Sequence, residues 1–509
     1  MDEYLTSRRN FLRLTAAALL GARSFDSITS RESLAAGPSL AASLNPQTAP
    51  PDYTLRIAAN PIEIAAKHIV STITYNGQFP GPLLRFKEGR PVTVEVHNDT
   101  DAPEQLHWHG QFVSPDVDGA AEEGTPFIPA RGMRRITFTP KPSGLRFYHT
   151  HNRAGADLHA GQYSGQVGAV YIEAQNDAGR YDQEIFLVLK EFEPLFSQGG
   201  DMAQDFLTPA SRVKELEAAG ESAMKASLAQ GRPHGYEVGY RYFTINGRML
   251  GHGEPLRVKR GERVLFQILN GSATEIRSLA LPGHSFKVIA LDGNLVPTPA
   301  EVPVLWLGTA ERISVIVEMN HPGVWVLGDL ADDDRGHGMG IVVEYAGHAG
   351  KPLWRSPPPF LWSYARFARH GNQVPAEPDE VIDMTFTKRN AADRGFNRWA
   401  INDKVFPSQA ASDAMTATYH LRQGQRYRLR MHNASDDIHP VHLHRHSFEL
   451  TKLAGIAAAG VFKDVVMVGG YQEVEVDFTA DNPGLTLFHC HQQLHMDFGF
   501  MALFDYLQG

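Results

Sequence analysis

One structural unit recurs three times along this chain, and that recurrence narrows the possible folds more than any other feature. Each copy opens on a turn: Tyr75-Asn76-Gly77, then Ile245-Asn246-Gly247, then Ile401-Asn402-Asp403. A glycine follows (Gly89, Gly261, Gly424), and an alternating apolar and polar stretch ends, always at the same distance, on Asn98, Asn270 or Asn433. Alternation with a period of two marks a half-buried strand, and regularly spaced turn signals suit β-sandwiches. An all-β fold is therefore expected, with three consecutive sandwich domains at 50–177, 178–350 and 378–509 and a Pro- and aromatic-rich linker at 351–377. Ser211 to Leu228 carries Val213, Leu216, Ala219 and Met224 among charges and reads as a helical insertion in the second unit.

Composition excludes several classes. At 509 residues the chain is too long for one core, and 42% hydrophobic with 21% charged residues describes a globular protein. A formal net charge of −9 argues against a nucleic-acid partner, which needs a concentrated basic patch. With a single cysteine, no intrachain disulfide can form.

The N-terminal stretch 1–49 reads as an address and lead. Ser7-Arg8-Arg9-Asn10-Phe11-Leu12-Arg13 is a twin-arginine pattern, followed by an apolar run from Leu14 to Ala22 that is too short to span a bilayer. Cleavage is expected near Ala36 or Ala42, after export through the twin-arginine machinery to a bacterial periplasm or the extracellular space. No stable membrane span is expected.

Four histidine clusters carry the chemistry: His107-Trp108-His109-Gly110, His149-Thr150-His151, His439-Pro440-Val441-His442-Leu443-His444, and His489-Cys490-His491-Gln492-Gln493-Leu494-His495. Side chains alternate between faces of a strand, so each His-x-His pair shares one face and Cys490 points away from its two neighbours. Parity places His107, His109, His149, His151, His442, His444, His489 and His491 in one set, and His439, Cys490 and His495 in another. Two imidazoles with one thiolate mark a blue-copper electron-transfer site, and eight further imidazoles exceed the need of one metal and imply a cluster. His446 has the parity of the larger set.

On these motifs the chain resembles a three-domain multicopper oxidase of the laccase type over essentially its whole mature length. The resemblance implies cupredoxin-like Greek-key sandwiches and four copper ions per chain. It assigns His439, Cys490 and His495 to a type 1 copper and His107 and His442 to a type 2 copper. His109, His149, His151, His444, His489 and His491 go to a type 3 pair, and His446 is left outside the ligand set. Only the resemblance separates type 2 from type 3. It also places Phe500 in the axial slot of the type 1 copper, where many relatives carry methionine. Asp118 takes the position of the family's proton-delivering acid, with Asp116 its competitor. Where some relatives have a glutamate after the last type 1 histidine, this chain has Met496, leaving Asp497 as a substitute.

The implied activity is one-electron oxidation of phenols or aromatic amines, entering at His495 and passing through Cys490, coupled to reduction of dioxygen to water. The alternatives are a metal-ion oxidase, with Fe(II) or Cu(I) as donor, or a copper-free structural relative, which would have lost ligands that this chain retains.

Overall fold

A computed structural model describes residues 49–174, 180–197, 235–371, 376–407 and 416–507. The export signal and the expected helix within Ser211 to Leu228 lie outside the described residues. Among those described, no helix is long and apolar enough to cross a membrane.

The sheets fall into three successive groups. The first unites Tyr53–Ala65, His68–Tyr75, Val92–Asn98 and Met133–Phe138 in one sheet, and Gly81–Lys87, Val167–Glu173, Gly144–His149 and His107–His109 in another. The second is led by a six-stranded sheet between Gln183 and Glu318, backed by two smaller ones. The third pairs a seven-stranded sheet with a five-stranded one made of Ala417–Leu421, Met501–Tyr506, Thr486–Cys490, His439–Leu443 and Val465–Val468. The fold is all-β, as the alternation predicts, and cupredoxin-like, as the resemblance implies.

The triplication reaches individual atoms. Asn76, Asn246 and Asn402 all have φ near +50°, and Gly77, Gly247 and Asp403 follow with φ of 71°, 73° and 59°. This is the left-handed pair that a two-residue hairpin turn requires. Each of these asparagines also bonds the neighbouring strand through both side-chain atoms, as Asn246 does to the Val188 N–H and the Phe186 carbonyl. The strand-end asparagines form a second matching set. Asn98 donates to the carbonyls of Ala102, Ile128 and Pro129; Asn270 to those of Glu275 and Leu307; Asn433 to those of Asp437, Val468 and Gly469. All three are fully buried, so each satisfies carbonyls that a loop leaving its strand would otherwise strand without partners.

The first sandwich has its own core, including Leu55, Val94, Trp108, Tyr148 and Ile172. The cores of the second and third run together as one apolar body. The segment between them is packed rather than free: Trp362, Tyr364 and Phe367 are buried in that shared core. A smaller cluster joins Phe147, Val188 and Val465, one residue from each sandwich.

Replacing Asn270 with alanine removes donors to two carbonyls and the acceptor for the Ser272 N–H. A loss of about 3 kcal/mol is expected from the buried groups left unpaired, which corresponds, for the joined second and third sandwiches, to a fall of roughly 3–5 °C in Tm by calorimetry. A fall below about 2 °C would show that the asparagine does not hold the loop.

Candidate metal centres

Strand register delivers the donors. His107 lies opposite His149, and His109 opposite Phe147, in an antiparallel pair of the first sandwich. In the third, His442 lies opposite His489 and Val441 opposite Cys490. His442 and His489 therefore share one face, while Cys490, Val441 and His439 share the other. Alternation ends just beyond Leu443, because Arg445 sits at φ +60°. His444 still reaches the His442 face, but His446 does not reach the donors. Its Nδ1 donates to the His444 carbonyl and its Nε2 bonds the Tyr506 hydroxyl.

On the cysteine face three donor atoms converge. Cys490 Sγ lies 3.6 Å from His439 Nδ1 and 3.5 Å from His495 Nδ1, and the two nitrogens are 3.1 Å apart. All three residues are buried. Ser435 Oγ bonds His439 Nε2, which leaves Nδ1 facing the thiol. Burial pushes the Cys490 thiol up and His495 down to about 3. A thiolate is stable there only beside a bound cation, and the imidazoles are neutral, as ligation requires. The surroundings are aromatic: Phe500 lies 4.7 Å from the His439 ring, and Trp399 lies 4.2 Å from the His495 ring. Met501 points to the other side, packing with Ala120, Leu487 and Met496.

On the opposite face eight imidazoles meet between the first and third sandwiches. Nδ1 is fixed on five of them: His107 to the Asp118 carbonyl at 2.9 Å, His149 to Thr150 at 2.7 Å, His442 to Asp464 at 2.7 Å, His489 to Cys490 at 2.8 Å, and His444 to Asp118 Oδ2 at 2.8 Å. Each bond places the proton on Nδ1 and turns the Nε2 lone pair inward. Nε2 of His107, His109, His149 and His442, and both nitrogens of His491, are buried without a hydrogen-bond partner. Nε2 of His444 and His489 stand 3.0 Å apart, and that of His151 is 3.5 Å from His489. Lone pairs that face one another in a dry site are satisfied by metal ions, so the donor set fits copper. Groups able to hold an ion on this face include His107/His109/His149, His107/His442/His444, His151/His444/His489 and His109/His442/Asp464. They share members, so the geometry is one continuous cluster and does not divide type 2 from type 3.

Carboxylates back the rings. Asp118 is fully buried, with Oδ2 against Nδ1 of both His107 and His444, whereas Asp116 is exposed at the surface. Sequence reasoning missed Glu123. Its Oε1 accepts the Leu487 N–H and lies 3.4 Å from His444 Nδ1, and burial, then the neighbouring Asp118, pushes its carboxyl well up. Glu122 Oε2 lies 3.9 Å from His151 Nδ1. Nothing in the spacing of Glu123 gives its contact away, since that contact forms between the first and third sandwiches. Asp497 is occupied elsewhere, accepting from the Ala154 and Gly155 N–H groups and from Gln493.

Three family models, each described as Multicopper oxidase, match residues 56–177, 214–344 and 374–509. The chain belongs to the multicopper oxidase family. It is 29% identical to Multicopper oxidase MmcO of Mycobacterium tuberculosis over 86% of this chain and 84% of that protein. It is 28% identical to Copper resistance protein A of Pseudomonas syringae, over 62% of this chain but only 53% of the relative. Among solved structures, Fet3p, a multicopper oxidase that functions in iron import, superposes with a TM-score of 0.71 at 18% identity, covering 89% of this chain and 90% of that one. The family is one of copper-dependent oxidoreductases that use dioxygen, so the matches agree with the chemistry of the donor set.

Proposed function

We propose that this multicopper oxidase is laccase-like, oxidising phenols or aromatic amines one electron at a time. The observation that carries the proposal is the side chain closing the mononuclear centre. Phe500, which has no donor atom, packs on His439 with Phe386 and Trp399 around it. A copper held by His439, Cys490 and His495, with no donor atom on Phe500, would have a high potential, which suits weakly reducing aromatic donors.

His439, Cys490 and His495 would hold the type 1 copper, His107 and His442 the type 2 copper, and His109, His149, His151, His444, His489 and His491 the type 3 pair. Copper supplies the redox chemistry, one-electron oxidation of the donor and four-electron reduction of dioxygen to two waters. The chain's own part is geometry and protons. Trp399 packs on His495 and both are buried, at 0% and 1% exposure, so His495 is not presented to a donor as a bare imidazole. Cys490 is bonded through the backbone to His489 and His491, the shortest covalent link between the two centres. Asp118 orients His107 and His444 through Oδ2, and Oδ1, buried without a partner, is the atom assigned to hold a proton for the cluster. Met496 packs in an apolar cluster and supplies no proton. The twin-arginine pattern supports export to the periplasm or beyond.

A metal-ion oxidase is the second reading. It is favoured by Glu237, Asp436 and Asp437, which gather with Lys388 near Trp399, the ammonium lying 2.6 Å from Asp437 and 5.5 Å from the indole, and by relatives named for copper resistance and iron import.

Oxygen uptake with a phenol, an aromatic amine, Fe(II) and Cu(I) under air separates the two. Faster turnover of the organic donors is expected, and a clear preference for either metal ion would transfer the assignment to the second reading. Phe500→Met is expected to lower the potential of the type 1 copper in a spectroelectrochemical titration. An unchanged or higher potential would remove Phe500 from the axial position.

A further inference from the structure

The middle sandwich contributes none of the His and Cys donors named above, yet its charged residues reach the cluster. Just ahead of the apolar strand Val465–Val468 the third sandwich carries Lys463-Asp464, both fully buried. Lys463 Nζ lies 2.9 Å from Asp292 Oδ2 and 3.0 Å from Glu311 Oε1 of the second sandwich. The backbone N–H groups of Asp464 and Val465 donate to the same Asp292 carboxylate. Arg312 of the second sandwich grips the Asp464 carboxylate with both arms, Nη1 to Oδ1 at 2.7 Å and Nη2 to Oδ2 at 2.5 Å. Arg146 of the first sandwich stands 3.5 Å from Oδ2. Three cations and three carboxylates, all buried, thus join the three domains at one place.

Asp464 faces the cluster from behind. Its carbonyl accepts from His442 Nδ1 at 2.7 Å, and its Oδ1 lies 3.6 Å from His109 Nδ1. The rings of His109 and His442 stack at 3.7 Å with an interplanar angle of 15°, so one residue backs both. Arg312 Nη1 is 3.5 Å from the same His109 nitrogen. A guanidinium can only donate, and Asp464 Oδ1 at 3.6 Å is beyond hydrogen-bond reach, so the Arg312–Asp464 pair backs that edge of the His109 ring as a unit and leaves Nε2, buried without a hydrogen-bond partner, for the cluster.

We infer that Asp464 is a positioning residue for His109 and His442, and that Arg312 holds it in place, so the sandwich without ligands sets the geometry of the cluster. This rests on the copper assignment proposed above. A bidentate pair fixes the plane of the carboxylate as well as its place. Backing of this kind typically governs metal affinity by about 10- to 100-fold.

The test uses the copper-loaded full chain dialysed against graded chelator, with copper per chain, the visible absorption of the thiolate-bound copper and the EPR hyperfine pattern of the cluster as readouts. Asp464→Asn is expected to release cluster copper about 10- to 100-fold more readily, with an altered hyperfine pattern and an unchanged thiolate band. That substitution also unbalances a buried charge set, so the double variant Asp464→Asn/Arg312→Gln is measured beside it, with Tm. A positioning role predicts that the balanced double variant regains thermal stability while cluster copper stays weakly held. Wild-type copper retention in Asp464→Asn, or retention regained together with stability in the double variant, would overturn the inference and leave only a structural clamp. Wild-type protein that takes up no copper beyond the thiolate site would refute the cluster assignment itself.

Discussion

Successive side chains of a β-strand point to opposite faces, and in this protein that alternation separates two candidate metal centres by one peptide bond. Strand Thr486–Cys490 ends with His489 on one side and Cys490 on the other, and its partner His439–Leu443 repeats the pattern with His442 and His439. Each face is then completed differently. The cysteine face draws its second imidazole from the short helix that follows, Gln493–Asp497, at His495, and stays within the third sandwich. The histidine face is open at the domain surface and is completed only by His107, His109, His149 and His151 from the far end of the chain. A slip of one residue in that strand would send both donor sets to the wrong sides at once.

Building a site from both ends of a chain demands that docking be as exact as folding. Apolar contact supplies part of this, through the cluster that includes Phe147, Val188 and Val465. The rest is ionic and dry. Arg146, Arg312 and Lys463 meet Asp292, Glu311 and Asp464 with essentially no exposure. Such a network is a weak source of net stability, because burying the charges costs nearly what their attraction returns. It is a strong source of specificity, since any other docking would leave buried charges unpaired. Lodging it directly behind His109 and His442 couples domain registration to ligand geometry.

Much of this was legible in the sequence, for reasons that also mark where legibility stopped. Turn chemistry and strand alternation are local, so Asn76, Asn246 and Asn402, and the glycines and asparagines after them, announced three sandwiches. Parity sorted His439 and Cys490 from His442 and His489 because all four lie on regular strands. It gave His446 the parity of the larger set, and the left-handed Arg445 is why that parity led nowhere. The carboxylates were harder. Asp118 was visible through family resemblance, though its Oδ2 serves first to orient His107 and His444. Glu123 and Asp464 act across domain boundaries that no spacing rule spans. A trace of the second was present all along: Lys463-Asp464 interrupts the apolar run Val461-Phe462 to Val465-Val466-Met467-Val468, where a charged pair is tolerated only if something answers it.

The central claim is that one strand separates a thiolate-bound copper from a cluster of three. It is tested most directly by metal analysis joined to visible spectroscopy on the full chain and on Cys490→Ser. The account predicts four copper ions per chain with an intense thiolate-to-copper band, and in Cys490→Ser the loss of that band with the cluster copper still bound. Fully loaded protein without the band, or a serine variant that sheds all its copper together, would contradict it.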